Sequence, residues 1–177
     1  MYHDVPNAPV MNRADYLVKA ARGKCILDIG GTGPMSDKLR EVASEYHSLD
    51  KEPSDRPNHY QLDLDDLGVT YGDLPKMDGL EIIIAGEVLE HVSNSGWFLT
   101  ALASWNVPVI LTVPNCGASP YRPTQRKEVV NREHVAWYSY RTLRTLVERH
   151  GFRVLAWFWY NGKPFTAEGL IFHMEPV

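Results

Sequence analysis

Four carboxylates in this sequence stand at or just after the end of a predicted strand. They are Asp28, Asp50, Asp63 and Glu87. Because parallel strands bring their carboxyl ends to one edge of a sheet, we expect these side chains to converge there. Acidic groups at one edge repel phosphates and attract hydroxyls, amines and cations. The spacing therefore predicts a ligand site that does not bind a pyrophosphate.

A glycine-rich turn follows the first of these strands. Gly30, Gly31 and Gly33 come directly after the apolar run 25–29, and the residues from Pro34 onwards suit a helix. Glycines allow a sharp turn and a close approach of a ligand to the backbone. The amide groups of the following helix would face that turn. This strand, turn and helix indicate a nucleotide or nucleoside site, although such turns also simply join strands to helices.

Asp50 has the position of a ribose ligand. It ends a short predicted strand about 20 residues beyond the glycine turn, where a carboxylate can accept hydrogen bonds from both ribose hydroxyls. The alternative is a surface aspartate that opens the turn 51–53. With the acidic edge, this spacing favours a nucleoside with an amino or sulfonium group over a dinucleotide.

A second candidate site combines two carboxylates with histidine. If the segment that holds Glu87, Glu90 and His91 is helical, positions i, i+3 and i+4 share one face. Such ligands suit a divalent ion such as magnesium, manganese or zinc, and His134 would be a fourth ligand. The alternative is that both histidines are structural or surface residues.

The elements that must position these groups alternate along the chain. Predicted strands cover residues 25–29, 45–49, 59–62, 79–85, 107–113, 152–160 and 170–174, and helices begin near Asn12, Pro34, Asn94 and Ser139. Alternating strands and helices predict an α/β fold with a doubly wound, mostly parallel sheet and helices on both faces. The short connection between the last two strands predicts that the closing pair is antiparallel.

The composition is that of one globular domain. The 177 residues, 44% hydrophobic and 23% charged, predict a single domain over residues 1–177, with residues 1–10 as an irregular arm. No apolar run approaches the roughly 20 residues that span a bilayer, and the first residues lack the pattern of a signal peptide. We therefore expect a cytoplasmic protein without a membrane partner, in which Cys25 and Cys116 stay reduced.

The charge balance argues against a nucleic-acid partner. A net charge of −4 gives no general attraction to a phosphate backbone. A local basic patch would be needed, and its candidates are Arg122, Arg126, Lys127 and Arg132. A solvated loop is the favoured interpretation of these four residues.

Together these segments resemble the class I S-adenosylmethionine-dependent methyltransferases over about residues 13–174. The segments that carry the resemblance are residues 26–33, 48–50, 62–64, 85–92, 113–115 and 133–139. The family usually has one residue between successive glycines, whereas Gly30 and Gly31 are adjacent here, so the loop is one residue shorter. The resemblance implies a seven-stranded sheet with its last strand antiparallel, and S-adenosylmethionine as the cofactor.

The resemblance also implies which residues contact that cofactor. Asp28 with Gly30, Gly31 and Gly33 would border the methionine moiety, Asp50 with the adjacent Lys51 would bind the ribose hydroxyls, Asp63 and Leu64 would hold the adenine edge, and Gly86 with Glu87 would line the pocket.

Methyl transfer needs a base only when the acceptor is a hydroxyl or a protonated amine. His91 and His134 are the candidate catalytic bases, because histidine titrates near neutrality. The set Glu87, Glu90, His91 and His134 is also similar to the metal ligands of small-RNA 3′-end 2′-O-methyltransferases and of polyprenyl-catechol O-methyltransferases. The same string occurs in family members without a metal, so a magnesium or manganese cofactor is one of two alternatives.

The expected function is methyl transfer to a small-molecule hydroxyl, with an amine as the next acceptor. Metal-assisted 2′-O-methylation of RNA ends is an alternative. A catalytically silent module that binds the cofactor or activates a partner is an alternative of another class, and a nicotinamide dehydrogenase is a further one. A monomer and a homodimer are both compatible with the sequence.

Overall fold

The structure is a computed structural model that describes residues 8–31, 33–66, 68–116, 133–162 and 167–177. The strands are β1 (Val10–Met11), β2 (Cys25–Ile29), β3 (Glu45–Asp50), β4 (His59–Gln61), β5 (Ile82–Gly86), β6 (Val109–Pro114), β7 (Phe152–Tyr160) and β8 (Gly169–Pro176). The α-helices are α1 (Arg13–Ala21), α2 (Pro34–Val42), α3 (Ser95–Ser104) and α4 (Tyr140–Arg149). Single-turn 3-10 helices lie at Tyr71–Asp73 and Leu89–His91.

All of these strands belong to one sheet, in the order β1-β7-β8-β6-β5-β2-β3-β4. Neighbouring strands are parallel, except that β8 runs antiparallel to both β6 and β7. The predicted α/β fold class, with a doubly wound, mostly parallel sheet and an antiparallel last strand, is therefore confirmed.

The eighth strand is an addition to the seven predicted. Val10 and Met11 pair in parallel with Trp159 and Tyr160 at the end of β7. The carbonyl of Pro9 also accepts from the N–H of Trp159, at 3.1 Å. The prediction that the irregular arm extends to residue 10 is thus wrong at its last position. A strand of two residues pairs through backbone hydrogen bonds alone, so it has no hydrophobic periodicity that the sequence would reveal. Residues 1–7 lie outside the described part of the chain.

The helices cover both faces of the sheet, and alternate residues of β2 point to opposite sides. Leu27 belongs to the apolar cluster that includes Phe98 of α3 and Leu143 of α4. Ile26 belongs to the second cluster, with Leu17 of α1 and Leu39 of α2 among its members. Burial on both faces explains why the central strands are continuous apolar runs.

Local sequence signals set where the helices begin. The side chain of Asn12 accepts from the N–H of Asp15 at 3.1 Å, and that of Asn94 accepts from the N–H of Trp97 at 3.1 Å. Ser139 forms a reciprocal capping box with Thr142. These caps satisfy amide groups that have no partner inside the helix.

The connection order reverses between β2 and β5. From β2 the chain continues to β3 and β4 on one side, and β5 and β6 follow on the other. Ligands of such sheets bind beyond the carboxyl ends of the strands at this switch point. Ile29 and Gly86, the last residues of β2 and β5, therefore mark the place to examine for a ligand site.

Cys25 and Cys116 are free thiols, as predicted. Among the described residues, no helix is both long enough and apolar enough to cross a bilayer. The basic candidates between residues 122 and 132 lie outside the described residues.

Candidate functional site

The switch point brings together the carboxylates of neighbouring strands. Asp28 lies one residue before the end of β2, Asp50 ends β3, and Glu87 directly follows β5. Besides burial, the negative charge of Asp50 raises the pKa of Asp28. These three carboxylates therefore lie at the same edge of the sheet, on three adjacent strands.

Asp28 is a buried carboxylate with a strongly shifted pKa. Its residue is 5% exposed, and burial raises its pKa to about 6, while hydrogen bonds from Ser36 and Tyr46 act in the opposite direction. The hydroxyl of Tyr46 donates to Asp28 Oδ2 at 2.8 Å. Because a pKa near 6 lies below neutrality, Asp28 is mainly ionised at pH 7 and holds this loop by charge-assisted hydrogen bonds.

The three glycines of the turn have different roles. Gly30 has φ +77°, and a Cβ there would lie 2.7 Å from Val88 Cγ2. A Cβ on Gly31 would lie 2.6 Å from the Cβ of Ser48. Gly33 precedes α2 with an extended backbone, and a Cβ there would meet no atom within 4 Å. Gly30 and Gly31 thus pack the turn against the protein, while Gly33 faces open space.

Arg56 holds the short glycine turn in place, and no feature of the sequence predicted this role. Its guanidinium donates to the carbonyl of Gly31 at 3.1 Å and to Asp37 of α2 at 3.0 Å. The N–H of Gly30 donates to the carbonyl of Leu49 at 2.8 Å. These bonds hold the turn against β3. Arg56 lies in a proline-containing loop with no pattern that would identify its partners.

The aspartates predicted to contact the ribose and the adenine each accept a hydrogen bond from a backbone amide two residues further along the chain. Asp50 Oδ1 accepts from the N–H of Glu52 at 3.0 Å, so Asp50 also opens the turn named as the alternative. Lys51 beside it is exposed. Asp63 Oδ1 accepts from the N–H of Asp65 at 2.9 Å, and Leu64 is buried. Their contacts with a cofactor stay predictions.

Asp65 is a second residue that the sequence did not identify. Its Oδ1 accepts from the N–H of Ser93 at 2.8 Å and from that of Asn94 at 3.2 Å. These bonds join the segment after β4 to the start of α3. A turn aspartate gives no sequence signal for partners almost thirty positions away.

The prediction that Glu87 shares a helical face with Glu90 and His91 is wrong. The 3-10 helix begins only at Leu89, and Glu87 has φ +60°. The physical reason is that the N–H of Glu87 donates to the carbonyl of Thr112 at 3.0 Å, which extends the β5–β6 ladder past the end of β5. Glu87 is therefore absent from the cluster of candidate ligands that the described residues form around Glu90.

Glu87 instead joins three elements of the fold. Its Oε1 accepts from the hydroxyls of Thr112 at 2.9 Å and Tyr160 at 3.0 Å, and it lies 3.2 Å from the guanidinium of Arg13. The same guanidinium lies 5.7 Å from the centre of the Tyr160 ring. This network links α1 and β7 to the residue after β5.

Glu90, His91 and His134 do come together. One ligand atom of each lies within 4.8 Å of the others, and the ring centres of the two histidines are 4.8 Å apart. The carbonyl of Glu90 accepts from the N–H of Val135 at 2.8 Å, which holds the segment after Glu133 against the 3-10 helix. Glu90 is 2% exposed and His134 is 7% exposed, so both groups are buried.

His91 is oriented by a backbone group. Its Nδ1 lies 3.1 Å from the carbonyl of Glu133 and can only donate to it, while Nε2 lies 4.0 Å from Glu90 Oε1. With Nδ1 protonated, a neutral His91 has its lone pair on Nε2, on the side of the carboxylate. This is the arrangement expected of a metal ligand or of a base.

A shallow cleft opens beside this cluster. Its lining residues are Glu90, Pro114, Asn115, Cys116, His134, Ala136, Trp137 and Tyr138. His134 thus faces the cleft, whereas His91 is not among the described lining residues. Trp137 is 51% exposed at its rim, but Tyr138 and Trp159 are buried, as expected of core aromatics. The sequence alone does not distinguish His134 from His91.

A switch point with a glycine turn, strand-end carboxylates and an antiparallel last strand defines the class I S-adenosylmethionine-dependent methyltransferases. The chain belongs to the family described as "Methyltransferase domain", whose model matches residues 1–156. No curated protein matches the sequence.

Solved structures show the same fold. A SAM-dependent methyltransferase from Archaeoglobus fulgidus is 14% identical, with a TM-score of 0.70 over 91% of this chain and 90% of the other. A putative methyltransferase from Haloferax volcanii, in complex with the Trm112 methyltransferase activator, gives 12% identity and a TM-score of 0.64 over 92% and 87%. Magnesium protoporphyrin IX methyltransferase from Synechocystis with bound SAM gives 15% identity and a TM-score of 0.57 over 93% and 76%.

Proposed function

We propose that this methyltransferase transfers a methyl group from S-adenosylmethionine to a hydroxyl group of a small molecule, with an amine as the second choice of acceptor. The observation that carries the proposal is the buried pair Glu90 and His134 on the wall of a cleft. The net charge of −4 disfavours a long nucleic-acid footprint and so favours a small acceptor.

The residues at the switch point fit the cofactor. When bound, S-adenosylmethionine supplies a methyl group activated on a sulfonium. Gly33 leaves room for a ligand next to the N-terminus of α2, where free amide groups attract a carboxylate such as that of the methionine moiety. Asp50 would accept hydrogen bonds from the ribose hydroxyls. Asp28 keeps the glycine turn in place, and Asp63 with Leu64 would hold the adenine edge.

His134 is the proposed general base. An imidazole nitrogen of His134 would take the proton of the acceptor hydroxyl as its oxygen is methylated. The carboxylate of Glu90, which lies within 4.8 Å, would stabilise the imidazolium that results. His91, which is not among the described lining residues of the cleft, would not contact the acceptor.

A metal-assisted reaction is the second candidate, and the cluster of Glu90, His91 and His134 favours it. One carboxylate and two imidazoles within 4.8 Å fit a divalent cation. Without Glu87 the set has fewer hard oxygen ligands, so manganese suits it better than magnesium. A cation bound there would hold and acidify two neighbouring hydroxyls of the acceptor, which a catechol and the 3′-terminal ribose of an RNA both offer.

The test is transfer of labelled methyl from S-adenosylmethionine to catechols, sugars and short RNAs. We expect transfer to a hydroxylated small molecule and a fall in kcat of at least about 100-fold in His134→Gln. His150 lies at the carboxyl-terminal end of α4, away from the cleft. His150→Gln is therefore the matched control and should keep full activity. Methylation of RNA alone would contradict the small-molecule acceptor. Cofactor binding without any transfer would favour a silent or partner-activating module.

The metal-assisted reaction is tested with a second matched pair of variants. In metal-stripped protein, Mn²⁺ should restore activity, Glu90→Gln should abolish that restoration, and Glu148→Gln, the same exchange on α4, should keep it. Activity that is unchanged by chelator and by added Mn²⁺ or Mg²⁺ would exclude this version and leave His134 as a simple base.

A further inference from the structure

A second group of ligand-type side chains lies at the opposite, amino-terminal edge of the sheet. Cys25 is the first residue of β2 and Glu45 is the first residue of β3, and the two are directly paired in the parallel ladder. His47 follows Glu45 by two positions, so its side chain points to the same face of the sheet. The register of two strands therefore brings a thiol, a carboxylate and an imidazole together.

The geometry of this group is compact. One ligand atom from each of Cys25, Glu45 and His47 lies within 4.8 Å of the others, and His47 Nε2 is 3.0 Å from Glu45 Oε1. The three residues differ in exposure. Cys25 is 6% exposed and His47 is 7% exposed, whereas Glu45 is exposed and opens the group to solvent. A cation can thus enter from the side of Glu45.

The surrounding residues hold the group in position. The hydroxyl of Tyr60 lies 3.4 Å from His47 Nδ1, and the two rings are stacked with centres 6.0 Å apart. With Glu45 ionised, His47 Nε2–H donates to Glu45 Oε1 and Nδ1 accepts from the Tyr60 hydroxyl. A metal ion at Nε2 would replace that proton, and Nδ1–H would then donate to Tyr60. The N–H of Cys25 donates to Glu81 Oε2 at 2.9 Å, which brings a second carboxylate to the thiol.

The electrostatics of the site also favour a cation. The carboxylates of Glu45 and Glu81 both lie beside Cys25, and their negative charges attract a divalent ion. Binding of that ion would release the thiol proton to solvent. Sulfur, nitrogen and oxygen ligands together match the preference of zinc rather than that of magnesium or calcium.

We propose that Cys25, Glu45 and His47 form a zinc site at the amino-terminal edge of the sheet, with Glu81 or a water molecule as the fourth ligand. This site is separate from the cleft at the carboxyl edge and is independent of the proposed methyl transfer. It would join the starts of β2 and β3, the two strands that carry Asp28 and Asp50 at their other ends. Its role is structural, because it would hold the register on which the convergence of those carboxylates depends.

Cobalt is the probe that distinguishes this site from the cluster near the cleft. A thiolate bound to Co²⁺ gives a sulfur-to-metal charge-transfer absorption, which carboxylates and imidazoles do not give. Titration of the full chain with Co²⁺ should produce this absorption, and an equivalent of Zn²⁺ should remove it. Cys25→Ser should abolish it, while Cys116→Ser, the matched control on the cleft wall, should keep it.

Two further variants keep the test decisive if Cys25→Ser does not fold. Glu45→Gln changes an exposed side chain, and His47→Gln changes a buried one, so the first is the safer variant for folding. Each should weaken Co²⁺ binding at least tenfold. Absence of the charge-transfer absorption in the full chain, its loss in Cys116→Ser, or unchanged affinity in Glu45→Gln would each overturn the proposal.

Discussion

At the scale of single residues, the site depends on a carboxylate that folding makes less acidic. Asp28 is buried among β2, β3 and α2, and its pKa of about 6 compares with an ordinary value of 3.8. Hydrogen bonds from Ser36 and Tyr46 and the positive charge of Arg56 offset part of the effect of that burial. The ionised carboxylate of Asp28 therefore lowers the stability of the folded protein, as expected of a charged group that serves a ligand site.

Asp28→Asn should make the unliganded protein more stable at neutral pH. Between about pH 4 and 6 the unfolded chain loses this proton while the folded chain keeps it, so the stability of the natural protein falls as pH rises through that window. A shift of about two pKa units corresponds to about 3 kcal/mol, of which a lost hydrogen bond offsets about 1 kcal/mol. Urea denaturation at pH 4, 5, 6 and 7.5 measures the difference.

The expected signature is a gain of about 2 kcal/mol above pH 6 that becomes a loss of about 1 kcal/mol near pH 4. A difference in unfolding free energy that does not vary with pH would show that Asp28 is not the titrating group. Tyr46→Phe serves as a control, since it removes a hydrogen bond to Asp28 without removing the carboxylate.

Gly33→Ala should separate cofactor binding from folding. Its backbone, with φ −88° and ψ 176°, suits any residue, and the added methyl group would meet no atom of the protein within 4 Å. We expect the free energy of unfolding to change by less than about 0.5 kcal/mol. The affinity for S-adenosylmethionine should fall about tenfold, or about 1.4 kcal/mol, because the methyl group enters the space assigned to the ligand. Calorimetry and urea denaturation measure the two effects. Unchanged affinity would remove Gly33 from the site.

At the scale of elements, the end of β7 fixes the turn after β5. Tyr160 donates to Glu87, and its ring packs over Gly169 at the start of β8. A Cβ at Gly169 would lie 2.2 Å from the Tyr160 ring, so only glycine fits there. The antiparallel pair that closes the sheet therefore also positions a residue at the switch point.

Gly169→Ala should destabilise the protein by about 1–3 kcal/mol, because the ring must move and the Tyr160 to Glu87 hydrogen bond is disturbed. Thermal or urea denaturation measures the change. In a Tyr160→Ala background the same substitution should have a much smaller effect, which a double-mutant cycle reveals. Equal effects in both backgrounds would show that the ring is not the obstacle.

Local signals in the sequence were sufficient for most elements. Asn12, Asn94 and Ser139 cap helices because their side chains satisfy amides three positions away, and the apolar runs form strands because both faces are covered. Glu87 was predicted wrongly because its left-handed backbone depends on a bond to Thr112 in another strand. The partners of Arg56 likewise belong to other elements, and spacing alone does not reveal such contacts.

At the scale of the whole molecule, the two edges of one sheet carry separate groups of polar side chains. The carboxyl edge holds the glycine turn, the acidic strand ends and the cleft, and the amino-terminal edge holds the Cys25 group. The same parallel register that pairs Cys25 with Glu45 pairs Asp28 with Ser48, two positions before Asp50. A change of register would therefore disturb both edges together.

Binding of S-adenosylmethionine at the carboxyl edge of the sheet is tested most directly by isothermal titration calorimetry. We expect one site per chain for S-adenosylmethionine and for S-adenosylhomocysteine, with no binding of nicotinamide dinucleotides. Asp50→Ala, which removes the predicted ribose ligand, should weaken both at least about tenfold. If the folded natural chain bound neither compound, the carboxyl edge of the sheet would not be a site for S-adenosylmethionine.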